Sequence, residues 1–417
     1  MWVIRFGINF PLGTIMDGLQ ALCLFGFFLR MKREQNWVIF KNPISYVIVA
    51  WIIYNFIEVA NPWAASKLAW VYTVRSVALV MLMYFIFSYQ IRTVRFIKFI
   101  LKLWILLAVF AAVYAIKQEF FGFAQFELDT LQDPETILLY FIDGRWRKFS
   151  IFSDPVAFAY NMVTASMLCI ALMWGPISFI KKLILGCLVL LFWVTMLYSG
   201  TRGAYVLVPA GLAMFALLNL TKRILIMGIV GALFFVGLIF VPTSNPSIKR
   251  FQSAFAPSED ASFNVRKMNQ KRIQPFILSH PIGGGLGATG IWGQRFSPGS
   301  FLATFPPDSG YVRVAVELGW IGLALICTLM FVILREGIKN FFAIHNPQLR
   351  SICLGMVLVV FCLHIGNYPQ EAIVQFPSNI YFYLAVALIN VCYRIDQETQ
   401  AALHSEAQLL KNTPNPI

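Results

Sequence analysis

Long apolar runs follow one another along almost the whole chain, with short polar stretches between them. A run of about 18 apolar residues is typical of a helix that crosses a bilayer. Eleven runs approach or exceed that length, at residues 14–29, 43–60, 70–89, 96–116, 155–174, 183–198, 203–220, 224–241, 311–334, 351–368 and 376–393. The first is the weakest, because it contains Asp17 and follows an apolar segment, 1–10, that could itself enter the membrane. The pattern predicts an all-α polytopic membrane protein with about eleven transmembrane helices, at most twelve.

Lys and Arg are concentrated in every second short loop. The clusters are Arg30, Lys32, Arg33 and Lys41; Arg92, Arg95 and Lys98; Lys181 and Lys182; Lys222 and Arg223; and Arg335, Lys339 and Arg350. Because short loops rich in Lys and Arg stay in the cytoplasm, these loops are predicted to be cytoplasmic. Two long segments, 117–154 and 242–308, then face outward, and residues 1–393 form one bundle with a cytoplasmic tail at 394–417.

The composition excludes a soluble fold. Of the 417 residues, 59% are hydrophobic and 12% are charged, against about 25% charged residues in soluble domains. The net charge of +14 is explained by the cytoplasmic loops, so it calls for membrane lipids as partners and not for nucleic acid. The seven cysteines lie within predicted spans and the four histidines are scattered. Neither residue type therefore predicts a disulfide or a metal cluster.

The outer segment 242–308 is basic and contains an amphipathic stretch. Residues 264–279 place apolar side chains at helical spacing among cations, which predicts a helix at the membrane interface. Pro281 and a run of glycines between positions 283 and 290 end this helix. The run has neither the P-loop nor the dinucleotide pattern. Either a tight irregular loop or close backbone approach to a phosphate would explain it.

Three arginines in or near the outer segments could bind an anion. Arg202 stands in the turn Ser-Gly-Thr-Arg-Gly-Ala at 199–204, between two apolar spans. A cation there is unfavourable unless it reaches water or meets a negative group, so Arg202 is either a structural or snorkelling cation or an anion clamp. Arg266 and Arg272, in the interfacial helix, are either solvated or headgroup-bound cations or ligands of the same anion.

Polar residues also gather at the start of the ninth span. Asp308 lies at the outer surface beside the basic segment, and Tyr311 follows it. Arg313 and Glu317 are spaced i, i+4 and either neutralise each other or bind substrate. His364, near the outer end of the next span, either transfers a proton or bonds to a neighbouring helix. The other membrane ionisable residues are interpreted as structural: Asp17, Glu58 and Arg75.

Three stretches of the chain together resemble one family. They are the turn at Arg202; Arg266 followed fifteen residues later by Pro281 and the glycine run; and Asp308-Ser309 followed by Gly319 and Gly322. Their order, with the long outer segment between them, makes the region from about the fifth to the ninth span similar to the O-antigen ligase and Wzy-type polymerase superfamily.

This resemblance implies a GT-C-like helical fold. It also implies transfer of a glycan from undecaprenyl diphosphate to lipid A-core or to another glycan, on the periplasmic face of the bacterial inner membrane. Arg202 and Arg266 would hold the diphosphate. The chain departs from the family at Asp308, where family ligases have a histidine proposed to activate the acceptor hydroxyl.

The chemistry of the residues leads to the same reaction. Nucleotide sugars and ATP are not expected outside the cytoplasm, so an outward-facing synthetic site needs a donor already activated on a lipid. Paired guanidiniums suit the charge that develops on a leaving diphosphate. Together with the resemblance, this chemistry predicts an inverting glycosyltransferase whose catalytic residues are Asp308, Arg202 and Arg266. Substrate binding is predicted for six more: Arg272, Arg313, Tyr311, Glu317, His364 and Arg147.

Cofactors and alternative functions complete the prediction. No cofactor is expected, although the Asp308 carboxylate could hold a divalent cation in place of acting on the hydroxyl. A Wzy-type polymerase would differ from a ligase only in its acceptor. A transporter or flippase for an anionic lipid-linked glycan would use the same arginines along a pathway, but the chain shows neither an inverted repeat nor paired broken helices.

Overall fold

The computed structural model describes residues 12–35, 37–132, 134–142, 144–244, 246–255, 261–306 and 308–412. Across these ranges the regular structure is almost entirely helical. The helices are α1 (Leu12–Glu34), α2 (Pro43–Ile57), α3 (Lys67–Val77), α4 (Leu82–Gln90), α5 (Val94–Phe120), α6 (Gln125–Thr130), α7 (Pro134–Tyr140), α8 (Pro155–Trp174), α9 (Phe179–Tyr198), α10 (Arg202–Leu218), α11 (Lys222–Phe240), α12 (Pro246–Ser253), α13 (Ala261–Ser279), α14 (Gly290–Phe296), α15 (Gly310–Ala343), α16 (Pro347–Gly366) and α17 (Ser378–Asn412). Four 3₁₀ segments, at Val38–Phe40, Glu58–Ala60, Leu79–Met81 and Phe301–Thr304, extend or join them. A short hairpin pairs β1 (Phe141–Ile142) with β2 (Arg145–Trp146).

In the part of the chain that the structure describes, nine helical segments are long and apolar enough to cross a membrane. They are Pro43–Ala60, Lys67–Gln90, Val94–Phe120, Pro155–Trp174, Phe179–Tyr198, Lys222–Phe240, Gly310–Ala343, Pro347–Gly366 and Ser378–Glu406. The prediction of an all-α polytopic membrane protein is confirmed.

Two of the eleven predicted spans are not among these nine. The helix α10 is apolar but has only 17 residues, and α1 is a helix that is not among the nine. The apolar segment 1–10 lies outside the described residues. The helix α17 continues without a break from the last predicted span through the predicted tail to Asn412.

The centre of the bundle is formed by α8, α16 and α17. In each of these helices 78% of the apolar window is buried, against 6% in α11. Glycines let the central helices approach closely: a Cβ added to Gly211 of α10 would lie 2.8 Å from the Cys362 sulfur, and one added to Gly355 of α16 would lie 3.1 Å from Leu168. Small residues serve the same purpose at helix contacts in membranes generally. This packing fixes α8, α10 and α16 relative to one another.

Two of the membrane ionisable residues do pair with each other. Arg75 of α3 donates to Asp17 of α1. Glu58 has a different partner, accepting a hydrogen bond of 2.7 Å from the Asn61 amide.

Both long connecting segments, 117–154 and 242–308, lie at one end of the bundle, which we call the outer end. The first contains α6, α7 and the hairpin, and the second contains α12, α13, α14 and a 3₁₀ turn. The helix predicted at 264–279 is present as α13, which ends at Ser279 just before Pro281. Three acidic residues of these segments, Asp143, Glu259 and Asp260, lie outside the described residues.

Candidate functional site

The turn before α10 has a backbone that only a few residues can adopt. Gly200 has a φ of +58°, in the left-handed region that favours glycine. The Thr201 amide donates to the Ser199 hydroxyl at 3.1 Å, and the Thr201 hydroxyl donates to the Pro155 carbonyl at 3.2 Å. These bonds attach the turn to the start of α8. Arg202 is consequently the first residue of a helix whose entry is fixed.

Arg147 holds this turn from the side of the first outer segment. Its Nε donates to the Ser199 carbonyl at 2.8 Å, Nη2 donates to the Thr201 hydroxyl at 2.9 Å, and Nη1 donates to the Leu139 carbonyl at 3.1 Å. Burial, reinforced by the nearby charge of Arg250, lowers the pKa of Arg147 to about 10. Each guanidinium nitrogen is thus engaged with the protein itself. The structure gives Arg147 a positioning contact with the turn that carries Arg202.

Arg250 of α12 is a residue that the sequence did not single out. Its Nε donates to the Gly200 carbonyl at 2.8 Å, and it lies 2.9 Å from the point where a Cβ of residue 200 would be. The charges of Arg250, Arg147 and Arg202 all act on the hydroxyl of Tyr205, which lies one turn into α10. Three guanidiniums therefore gather around the start of α10.

Arg266 approaches the same region from α13. Its charge acts on the buried hydroxyl of Tyr160 in α8. That hydroxyl donates to the Gly366 carbonyl at 3.2 Å and lies 3.0 Å from the position of a Cβ added to Gly203, the residue after Arg202. Arg202 and Arg266 thus both lie close to the outer end of α8, although they are far apart in sequence.

The segment around Asp308 is bound to the end of α16. The Gly310 amide donates to the Asn367 carbonyl at 2.9 Å, and a Cβ at Gly310 would lie 2.3 Å from the Asn367 side-chain oxygen. The Tyr311 hydroxyl lies 2.6 Å from His364 Nδ1 and 3.0 Å from the His364 carbonyl. His364 therefore bonds between α16 and α15.

Glu371, in the connection between α16 and α17, joins this group and was missed in the sequence. Arg313 donates through Nη1 to Glu371 at 2.6 Å and through Nε to Glu317 at 3.2 Å. Burial raises the pKa of Glu371, Arg313 opposes that change, and the nearby charges of Glu317 and Asp308 add to it. Asp308 is consequently near enough to Glu371 for the two carboxylates to influence each other. The same connection reaches Arg202, because Pro369 lies 3.5 Å from the position of a Cβ at Gly203.

The glycine run is fastened to α15 by backbone bonds. Gly319 has a φ of +62° and interrupts the helix. Around this break the Gly284 amide donates to the Val316 carbonyl at 2.8 Å, the Gly285 amide donates to the Glu317 carbonyl at 3.0 Å, and the Tyr54 hydroxyl donates to the Leu318 carbonyl at 2.7 Å. The run thus supplies hydrogen bonds to carbonyls that the helix break has freed.

Glu317 occupies the place that an anion would take on the glycine run. Its carboxylate accepts from the Gly287 amide at 3.0 Å, from the Thr289 amide at 3.2 Å, and from the Thr289 hydroxyl. Only 1% of Glu317 is exposed. Of the two explanations that the sequence left open, the structure supports the tight loop, because these amides already bind a carboxylate of the chain.

Two further features delimit the site. The guanidinium of Arg272 lies 5.4 Å from the centre of the Phe301 ring, so this exposed cation rests on an aromatic face. A cavity of about 40 Å³ adjoins Arg313, Glu317 and Glu371, which is room for a little water but not for a sugar. This cavity therefore cannot hold a sugar.

Residues 187–327 match the family model for O-antigen ligase. The match covers less than half of the chain and supports a resemblance of this segment to the O-antigen ligase and Wzy-type polymerase superfamily. The resemblance inferred from the sequence is confirmed. No curated protein matches the chain.

The ligase-family segment, residues 187–327, contains Arg202, Arg266 and Asp308. Tyr160, His364 and Glu371 come from helices or connections outside it, and they pack against it at the outer end. The match supports a ligase-type or polymerase-type function in the membrane. In general terms it implies a lipid-linked glycan and a lipid acceptor as partners.

Proposed function

We propose that this protein is an inverting glycosyltransferase of the bacterial inner membrane, with its active site on the periplasmic face. It transfers a glycan from undecaprenyl diphosphate to lipid A-core or to a glycan acceptor. The observation that carries the proposal is that the Tyr160 hydroxyl adjoins Gly203, the residue after Arg202, and also lies within reach of the charge of Arg266. Pro369, from the connection that carries Glu371, adjoins Gly203 as well, and Asp308 lies within reach of Glu371. These contacts support a site in which cations bind the leaving group and carboxylates act on the nucleophile.

The arginines provide the donor half of the site. As the bond between the anomeric carbon and the diphosphate oxygen breaks, negative charge accumulates on the phosphate oxygens. Guanidiniums bind such oxygens in a bidentate fork and stabilise that charge in a site with little water. Arg147 and Arg250 fix the turn that carries Arg202, so the fork is oriented before the donor arrives.

Asp308 provides the acceptor half. Its carboxylate orients the acceptor hydroxyl, whose oxygen attacks the anomeric carbon while the diphosphate departs and the hydroxyl proton passes to the carboxylate. Within the described residues, Asp308 makes no salt bridge, in contrast to Glu317 and Glu371, which both bind Arg313. Asp308 is therefore the carboxylate of this cluster that is open to a substrate.

The test measures glycan transfer from a purified lipid-linked donor in proteoliposomes. We expect Arg202→Lys and Arg266→Lys each to reduce transfer by about 10²-fold, since Lys keeps the charge and loses the fork. The matched control is Arg295→Lys, at an exposed arginine of the same outer segment, which should keep wild-type activity. Near-normal transfer by both Arg202→Lys and Arg266→Lys would contradict the donor-site assignment.

Asp308→Asn separates the roles considered for the acceptor side. We expect it to abolish transfer while donor binding stays near normal. Inhibition of the wild type by EDTA, reversed by Mg²⁺, would show that the carboxylate holds a metal and would replace the proposed base. Transfer that persists in Asp308→Asn would contradict a role for Asp308, and Glu317 and His364 would be tested next. The length of the products distinguishes single ligation from polymerisation, and movement of the donor across the bilayer without transfer would indicate a flippase.

A further inference from the structure

A groove of about 390 Å³ runs between α13 and α15. On the α13 side it is lined by Lys267, Gln270, Lys271 and Gln274, followed by the apolar Ile277 and Leu278. Their spacing puts these side chains on one face of the helix. On the α15 side the lining is apolar and includes Trp320 and Leu323. The groove is therefore cationic along one part and apolar along the other.

The cationic part is suited to a phosphate. Lys267 and Lys271 are both exposed and lie four residues apart on α13, which brings their side chains to within roughly 6 Å at the Cβ atoms. No Asp or Glu is among the described residues that line the groove. Two like charges at this spacing repel each other. An anion bound between the two lysines would attract both of them and offset this repulsion. The Gln270 and Gln274 amides can donate further hydrogen bonds to it.

The apolar part is suited to a hydrocarbon chain. Leu278 is 63% exposed and Trp320 is 45% exposed, although both are large and apolar. Leu323 lies beyond the break at Gly319, in a membrane-spanning segment. Tryptophan is enriched at the level where lipid headgroups meet the hydrocarbon. A ligand that fills the groove would thus have an anionic head and an apolar chain.

We propose that this groove binds an anionic glycerophospholipid, with its phosphate between Lys267 and Lys271 and an acyl chain along Trp320 and Leu323. The charge of the groove selects an anionic over a zwitterionic lipid. Because Arg266 is the residue before Lys267 and acts on Tyr160, the bound lipid holds α13 in the position that the donor site requires. This inference goes beyond the proposed function, since the lipid is a structural ligand and neither donor nor acceptor.

The test compares thermal unfolding of the full-length protein in nanodiscs of phosphatidylcholine with unfolding in nanodiscs that contain phosphatidylglycerol. We expect phosphatidylglycerol to raise the Tm of the wild type by on the order of 3 °C. Lys267→Gln with Lys271→Gln should lose that rise. The matched control is Lys249→Gln, at an exposed lysine of the neighbouring α12, which should keep it. An equal Tm in the two lipids, or a rise that persists in the double variant, would overturn the proposal.

Further measurements distinguish the lipid from other anions and guard against a variant that does not fold. A rise of the same size with inorganic phosphate alone would show an anion site without a lipid. A rise that appears only with undecaprenyl diphosphate would show that the groove belongs to the donor, and either result overturns the proposal.

If the double variant does not fold, native mass spectrometry of the wild type and of Lys271→Gln decides. The wild type should retain phosphatidylglycerol more strongly than Lys271→Gln does, and equal retention would refute the site.

Discussion

Replacement of Glu317 by Gln tests what holds the glycine run against α15. The carboxylate accepts four hydrogen bonds, from the Gly287 amide, the Thr289 amide, the Thr289 hydroxyl and Arg313 Nε. Gln offers one oxygen and one NH₂ group, so whichever way its side chain turns, the NH₂ faces a group that also donates. At least one buried N–H is then left without an acceptor.

The expected loss of stability follows from these contacts. A buried donor without a partner costs about 1–3 kcal/mol. Breaking a buried ion pair completely costs about 3–5 kcal/mol, but Arg313 keeps Glu371 at 2.6 Å, so only part of that cost applies. We expect the free energy of unfolding to fall by about 2–4 kcal/mol and the Tm to fall by on the order of 5–10 °C.

Thermal unfolding in one detergent, followed by intrinsic tryptophan fluorescence, measures this effect. The matched control is Glu398→Gln, which removes an exposed carboxylate 3.8 Å from Arg394 and should change the free energy of unfolding by less than about 1 kcal/mol. A Tm for Glu317→Gln that equals that of the control would refute the assignment of Glu317 as the anion that fixes the glycine run.

Three further predictions follow from the geometry. Gly319→Ala should lower the free energy of unfolding by more than about 3 kcal/mol, because a Cβ there would lie 2.0 Å from the Pro281 carbonyl oxygen. The control is Gly299→Ala, where a Cβ would have nothing within 4 Å, and it should leave the Tm unchanged. Equal Tm values for the two variants would contradict this prediction. Arg147→Lys should reduce glycan transfer at least tenfold while expression is kept. The single ammonium nitrogen of Lys cannot reach the three separate acceptors that Arg147 contacts through three different nitrogens. Wild-type kinetics would exclude a positioning role. In a variant without native cysteines, a cysteine at position 294 should react with an impermeant reagent added outside and one at position 33 should not; the reverse pattern would invert the topology.

Much of the bundle is predictable from the sequence, because each membrane helix is formed by one continuous run of apolar residues. Runs such as 43–60 and 155–174 coincide with the bounds of helical spans in the structure. The i, i+4 spacing of Arg313 and Glu317 likewise predicted a contact that exists. The short length of α10 was harder to foresee, since the apolar run continues past Leu218 while the helix ends there.

The polar surroundings of the site are less predictable, because they depend on contacts between distant segments. Glu371 sits in a short connection with no recognisable motif, and only the fold brings it to Arg313. Arg250 is one of many cations in the basic segment. The only residue in the sequence that hints at its bond to the Gly200 carbonyl is the glycine itself. Tyr160 looked like an ordinary apolar position of its span. The roles of Arg202, Arg266 and Asp308 stay predictions.

The interruption of α15 at Gly319 couples two parts of the protein that would otherwise unfold separately. The carbonyls of Val316, Glu317 and Leu318 bond to the glycine run and to Tyr54, so the shape of the helix and the order of the loop depend on the same bonds. Opening either one exposes backbone groups of both, which is unfavourable inside a membrane protein. The amides of Gly284, Gly285 and Trp320 should therefore exchange their hydrogens as one cooperative unit, with a shared opening free energy.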